Sequence, residues 1–462
     1  MLRQVAHAEE GARGMPRAVD EPPGDAKSER PRRRLPSRCG CLVLLACWGA
    51  LGCRDSAATP ALTFSASALG VEADVVRRQL TRYQEQHPEV RVELRVTPDA
   101  ADQRHQLYVQ WLNARAAEPD VLQLDTIWTA EFAAAGWIHP LDPFAPDVDD
   151  FFPAAVAANR WRGVLYALPW FVDAGVLYWR TDLLDTAPGS LAELRASARR
   201  MTEAGSTRFG LVWQGARYEG LVTVFLEHLG AFGGGILDAG GRVIVDEPAA
   251  VGALTFMRDA IWADGFVPAS VLTWQEEQVR FAFQNGQAAF MRNWPYAWAL
   301  LQDPGRSRVA GRVAVAPFPA GDGGHPTAAL GGAELAISAH SAHPRLAWEL
   351  VAFLAAPEQM LERARLAAQL PARRSLYDNP ALALALPMPA DEARRVLEAA
   401  IPRPVTPVYS ELSEILQVRL HRALSRQQEP AQALHDAAVE IRALVERSGL
   451  SPEDDNRGTV RP

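Results

Sequence analysis

The chain has 462 residues, 48 % of them hydrophobic and 22 % charged, with a formal net charge of −8. That balance excludes a largely disordered chain, a collagen-like chain and a polytopic membrane protein, and the length suits roughly two to three domains. Lys27 is the only lysine, so the rest of the chain holds no Walker lysine, no S-x-x-K serine and no Schiff-base lysine, and the acidic balance argues against a nucleic-acid binder.

Residues 1–38 are polar and carry an arginine cluster at Arg32, Arg33, Arg34 and Arg38, followed by the apolar run 39–52, CGCLVLLACWGALG. Its 14 residues fall short of the ~20 that span a bilayer. A basic flank before an apolar stretch of this length reads as a secretory signal. The run ends Ala50-Leu51-Gly52-Cys53, which resembles a bacterial lipobox. Residues 1–52 are therefore expected to be removed and Cys53 to carry a lipid anchor, with 53–60 as a tether. All four cysteines lie between Cys39 and Cys53, so an exported mature chain has no disulfide framework and no thiolate metal site. Its net charge would be −11, because the signal carries nine basic and six acidic residues.

From residue 61 the pattern alternates between strands and helices. Strands are expected at 61–67 (ALTFSAS), 90–96 (VRVELRV, strictly alternating) and 121–124, and helices at 71–87, 102–117 and 128–135. This β-α-β-α-β rhythm indicates an α/β layer. Strand-like runs return at 165–168 and 176–179, joined through Pro169-Trp170-Phe171-Val172-Asp173. Helices are expected at 191–204, 218–229, 249–263 and 276–284. Further strands are expected at 288–291, 313–316 and 334–338, then helices at 343–355, 357–369, 390–400, 409–425 and 431–448. Residues 450–462 read as a disordered tail.

Several catalytic signatures are missing: H-E-x-x-H, G-x-S-x-G and a glycine fingerprint after a strand. Phe232-Gly233-Gly234-Gly235 reads as a turn, and His340 with His343 lack carboxylate or cysteine partners for a metal. What stands out instead is aromatic residues beside carboxylates or arginine in loop-like stretches. These are Asp125 with Trp128, Trp170 and Phe171 with Asp173, Arg292 with Trp294, Tyr296 and Trp298, and Arg403 with Tyr409. A sugar needs such a mixture. Its C–H faces stack on rings, and its hydroxyls donate to carboxylates and accept from arginine.

Six stretches carry a family resemblance: PDVLQLDTIWTAEFAAAGWIHPLD, ALPWFVDAGVLYWRTDLL, FGLVWQGARYEGLV, FQNGQAAFMRNWPYAWAL, VAVAPFPAG and IPRPVTPVYSELSEILQ. With them the chain resembles the family 1, maltose-binding-like extracellular solute-binding proteins of bacterial ABC sugar importers, in their trehalose/maltose-binding branch. The resemblance implies an α/β, two-lobed periplasmic-binding-protein clamp of type II, each lobe a mixed sheet flanked by helices. It places the N-terminal lobe at 61–170 plus 319–362 and the C-terminal lobe at 171–316 plus 367–449, with crossings near 170–173, 317–319 and 361–369. It implies a monomer with no cofactor, no metal and no catalysis, which hands a disaccharide to permease subunits in the inner membrane.

By motif, the sugar contacts it implies are Glu72, Asp125, Phe171, Asp173, Trp294, Tyr296, Gly331, Gly332 and Arg403. Phe171 stands where relatives often have a tyrosine. Ala333 follows Gly331-Gly332 where many relatives have a tryptophan, and Glu334 next to it either points into the cleft or is an ordinary exposed strand residue. Two other readings stay open: a glycoside hydrolase using two of Glu72, Asp125 and Asp173, and an interaction lipoprotein without a ligand.

Overall fold

The computed structural model describes residues 59–67, 69–238, 240–321 and 324–450. The signal, the lipobox with Cys53, most of the tether and residues 451–462 of the tail lie outside the described residues. The chain is built on two main sheets. The larger contains β1 (Ala61–Ala66), β2 (Arg91–Val96) and β3 (Val121–Asp125). A hairpin, β4 (Arg160–Trp161) with β5 (Val164–Leu165), then leads into β6 (Ala167–Ala174), again in the larger sheet. The smaller sheet contains β7 (Val176–Arg180), β8 (Phe209–Val212), β9 (Ala288–Asn293) and β10 (Val313–Pro317). The chain then returns to the larger sheet with β11 (Leu330–Ile337) and β12 (Leu370–Pro371). The strand orders are β12-β6-β11-β3-β1-β2 and β10-β7-β9-β8.

The first three strands are parallel neighbours because helices carry the chain back between them. Helix Glu72–Gln86 shows why such a crossover forms: Val75, Val76, Leu80 and Tyr83 lie on one buried stripe, and Glu72 and Asp74 sit in its first turn, where the helix dipole favours negative charge. β11 then runs antiparallel between β3 and β6, so the sheet is mixed. The expected strand at 334–338 begins four residues earlier, at Leu330. Gly331 and Gly332 hid it, since glycine is a poor strand former. Gly332 has φ +132° and a Cβ there would run into the Phe171 carbonyl, so the strand needs glycine at that point. The register shifts immediately afterwards, between Ala333 and Glu334.

The passages between the two sheets differ from the expected crossings. Residues 170–173 all belong to β6, and the chain passes to the smaller sheet at Gly175, between β6 and β7. Residues 319–321 and 324–327 stay with the smaller-sheet half: Ala320 bridges Ser190, Gly321 donates to the Ala231 carbonyl, and Thr327 bridges Phe318. The return occurs at 328–330. The expected third crossing at 361–369 is a helix ending, followed by β12 of the larger sheet, and helix Ala390–Glu398 also packs on β6. The chain leaves that half only at 400–403, where Ile401 donates to Ala328 and accepts from Leu330. Helices Tyr409–Leu424 and Pro430–Arg447 then pack on the smaller-sheet half. The three passages therefore lie side by side: Leu330 pairs with Ala174, and Ile401 runs beside Ala329. Such pairings span 156 and 72 residues of chain and leave no local pattern. Among the described residues, no helix is long and apolar enough to cross a membrane.

Candidate functional site

A cleft of about 840 Å³, measured out to its open mouth, lies between the two sheets. Glu72, Asp125, Phe171, Asp173, Trp294, Tyr296, Gly331, Gly332 and Arg403 all line it. The first sheet delivers its share at strand ends and at a helix start: Asp125 closes β3, Asp173 lies near the end of β6, and Glu72 opens the helix after β1. The second sheet delivers Trp294 and Tyr296 just beyond β9. The two halves meet closely. A Cβ on Gly331 would lie 3.1 Å from the Trp294 ring, and one on Gly70 would lie 3.2 Å from the Tyr296 ring. Absent side chains at these two glycines let the rings reach across.

The carboxylates are not equivalent. Glu72 is fixed by Ser67, by Arg363 Nη2 at 3.0 Å, by Gln369 Nε2 at 3.1 Å and by Gln123 Nε2 at 3.3 Å. Arg363 is buried, its guanidinium 3.6 Å from the Trp170 ring centre, and burial pulls its pKa down to about 10 against the pull of Glu72. Asp125 Oδ1 accepts from Arg403 Nη2 at 2.9 Å, and Arg403 Nη1 donates to Glu219 at 2.9 Å. Burial alone would pull the Arg403 guanidinium down, but Asp125 and Glu219 on either side hold it raised. Glu219 also accepts from Tyr409 and Ser413, and burial still raises its pKa.

Asp173 has no such support. Its Oδ1 is buried and makes no hydrogen bond within the protein. Burial, and then repulsion from Glu72, push its pKa well above the usual carboxylate value, with Arg363 opposing. It is an acceptor held ready for a donor from outside. The cleft as a whole is lined by six carboxylates, Glu72, Asp99, Asp125, Asp173, Glu219 and Glu276, against two arginines, Arg104 and Arg403. That balance suits hydroxyl donors and disfavours an anion such as phosphate.

Several lining residues were not singled out from sequence: Ser67, Gln123, Tyr218, Glu219, Glu276 and Gln369. Two signals existed. Tyr218 and Glu219 fall inside the stretch WQGARYEGLV, and Gln123 lies two residues before Asp125, hence on the same strand face. Ala333 lines the cleft, so no large side chain closes that wall. Glu334 takes neither of its two expected places. It is fully buried, is absent from the cleft lining and accepts from Thr126. Among the described residues, no cluster of three or more His, Cys, Asp or Glu is arranged to hold a metal.

Burial raises the Glu334 pKa to about 7, with the Thr126 hydrogen bond opposing, and leaves its second oxygen without a partner. The folded value exceeds the unfolded one, so the folded state binds the extra proton between them. Stability is therefore lost as pH rises from the unfolded value through about 7. Glu334→Gln keeps an acceptor for Thr126 and removes that loss. Urea unfolding should find the variant more stable than wild type by about 3 kcal/mol at pH 8. The gain should disappear by pH 4.5, and an equal gain at both pH values would contradict this origin.

Comparison with known proteins agrees with this architecture. The profile of the family described as bacterial extracellular solute-binding protein matches residues 70–361. The chain is 36 % identical over 391 residues to a probable ABC transporter-binding protein of Deinococcus radiodurans, an overlap of 81 % of this chain and 91 % of the relative. Among solved structures, maltose-bound MalE3 of T. maritima superposes with a TM-score of 0.80 at 41 % identity, covering 83 % of this chain and 99 % of that one. The GacH receptor of Streptomyces glaucescens, solved unliganded and with acarbose, gives 0.76 at 26 % identity, covering 84 % and 99 %. The fold they share with this chain is the type II two-lobed clamp, mixed sheets flanked by helices.

Proposed function

The chain belongs to the bacterial extracellular solute-binding proteins, and from that premise we propose that its cleft binds an α-linked glucose disaccharide such as maltose or trehalose. At the coarser level it is a solute-binding protein of an ABC sugar transporter. One observation carries the finer reading: acceptors on one sheet, Asp173 above all, face aromatic rings carried by the other across a single cleft. A sugar ring between them would donate hydroxyls to Asp173, Asp125 and Glu72 and stack a C–H face on Trp294 or Tyr296. Ligand contacts from both halves would stabilise the closed clamp, so binding shifts the population at the three passages. The loaded protein then presents its sugar to a permease. The export signal and a lipid on Cys53 would hold a monomer in the cell envelope beside that partner. The maltose of the T. maritima structure supports the choice of disaccharide.

Two observations weigh against a glycoside hydrolase. Such chemistry needs a carboxyl pair free to exchange protons with substrate. Here Glu72 is held by Arg363 and Asp125 by Arg403, which leaves Asp173 alone of the three without an arginine partner. The relatives named above are also binding proteins. The test is a titration of intrinsic tryptophan fluorescence with maltose, trehalose, sucrose and glucose, followed by product analysis after long incubation. The expected result is a saturable change with one disaccharide and no product. Glucose release would promote the hydrolase, and silence with all four sugars would leave the interaction lipoprotein.

A further inference from the structure

The most deeply buried ion pair of the smaller-sheet half lies behind the cleft and outside its lining. Arg292, in β9, donates from Nε to Glu227 at 2.7 Å and from Nη1 to Gln214 at 3.2 Å, and both charged side chains are 0 % exposed. Ion pairs so far from water are costly to assemble and are weak evidence of stabilisation in themselves. What this pair touches is more informative. The Arg292 guanidinium lies 4.1 Å from the centre of the Trp294 ring, close enough for a cation–π contact. Glu227 accepts from the backbone N–H of Ala329 at 3.3 Å, in the second passage between the sheets. Gly175, the first passage, lies directly against both side chains, since a Cβ there would overlap the Glu227 carboxylate and the Arg292 guanidinium. Glu227 also sits two turns along the helix Glu219–Ala231, whose first residues line the cleft.

We propose that the Glu227–Arg292 pair is a positioning device that joins the seat of the Trp294 ring to two of the three passages between the lobes. Arg292 sets the ring from behind while Glu227 holds Ala329 and packs on Gly175. A shift of the ring against a ligand therefore moves the same rigid pair that props the passages. The planar fork of arginine suits this double task, because it binds a carboxylate along one edge and presents its flat face to an aromatic ring. The effect on ligand rests on the reading of Trp294 as a wall of the sugar site; the effect on the passages does not.

The test uses the full-length chain with maltose as probe, calorimetry for affinity and hydrogen exchange for the passages. Arg292→Lys keeps the charge but loses the fork and the flat face. It is expected to raise the maltose Kd about tenfold or more and to speed amide exchange at 174–176 and 328–330 about tenfold while the β1 and β3 amides keep their protection. Trp294→Ala is expected to speed exchange at Ala329 in the ligand-free protein. This second variant decides the matter if Arg292→Lys does not fold. Weakened binding with unchanged exchange at both passages would overturn the proposal, as would Trp294→Ala leaving Ala329 unchanged. If the wild-type chain binds no sugar, the wall reading of Trp294 fails, and the ligand-free exchange of the two variants still judges the coupling.

Discussion

Trp294→Ala is expected to weaken disaccharide binding by about 3 kcal/mol, roughly 150-fold, the scale of one buried aromatic face and its stacking geometry. The residue is held from three directions, two at its backbone and one at its ring. Its backbone N–H donates to Asn293 Oδ1 at 2.8 Å, its carbonyl accepts from Tyr178 at 2.8 Å, and Arg292 backs the ring itself. The opposite wall at Gly331 has no side chain to fill the gap, and Ala333 next to it is small. Truncation should therefore leave a hole that water fills and the other residues cannot close. Trp294→Phe should recover a large part of the affinity, because a flat apolar face remains. Calorimetry on the two variants measures both effects. A loss in Trp294→Ala that Trp294→Phe does not recover would point away from stacking.

Arg403→Gln is expected to cost about 3–5 kcal/mol of folding stability, the usual penalty for stripping one partner from a buried charged group. Arg403 stands between Asp125 at the end of β3 and Glu219 at the start of a helix on the other half, with its side chain 3 % exposed. Without the guanidinium, two carboxylates face each other with burial already raising one of them. The folded pKa of Glu219 would rise further above its unfolded value. The penalty is then largest at high pH and fades as pH falls through the raised value, since the folded state takes up protons first. Urea unfolding at pH 8 and pH 5 should show the variant recovering part of its deficit at the lower pH. A deficit independent of pH would mean lost packing alone.

The parts of the site legible in the chain were those that local pattern can carry. Asp125 follows an apolar strand run and Trp294-Pro295-Tyr296 follows another, so both could be placed at a strand end before any contact was known, whereas the pattern puts Asp173 in the stretch joining two strands and it proves to lie inside β6. Their convergence on one cleft came from the family resemblance, not from spacing. The rest depended on partners remote in the chain. Arg363 meets Glu72 across 291 residues and Arg403 meets Glu219 across 184. Neither arginine differs locally from an exposed helix or loop arginine. The passages between lobes were misplaced for the same reason. Gly175 gives no stronger signal than other glycines, and its role is visible only against Glu227 and Arg292. Glu334 shows the limit most plainly: a strand residue of ordinary appearance proves to be a fully buried carboxyl whose pKa burial raises to about 7, on a strand held between β3 and β6 inside the larger sheet.

Asp173 gives the most direct test that the cleft between the lobes is a sugar site. Its buried, unpartnered oxygen and raised pKa mean that the folded protein gains nothing by keeping it empty-handed. Calorimetry should therefore compare maltose binding to the wild-type chain and to Asp173→Ala at pH 7, with urea unfolding of each alongside. The expected result is one saturable site in the wild type and none in the variant, whose stability is equal to or above that of the wild type. Equal maltose affinity in the two proteins would contradict the site.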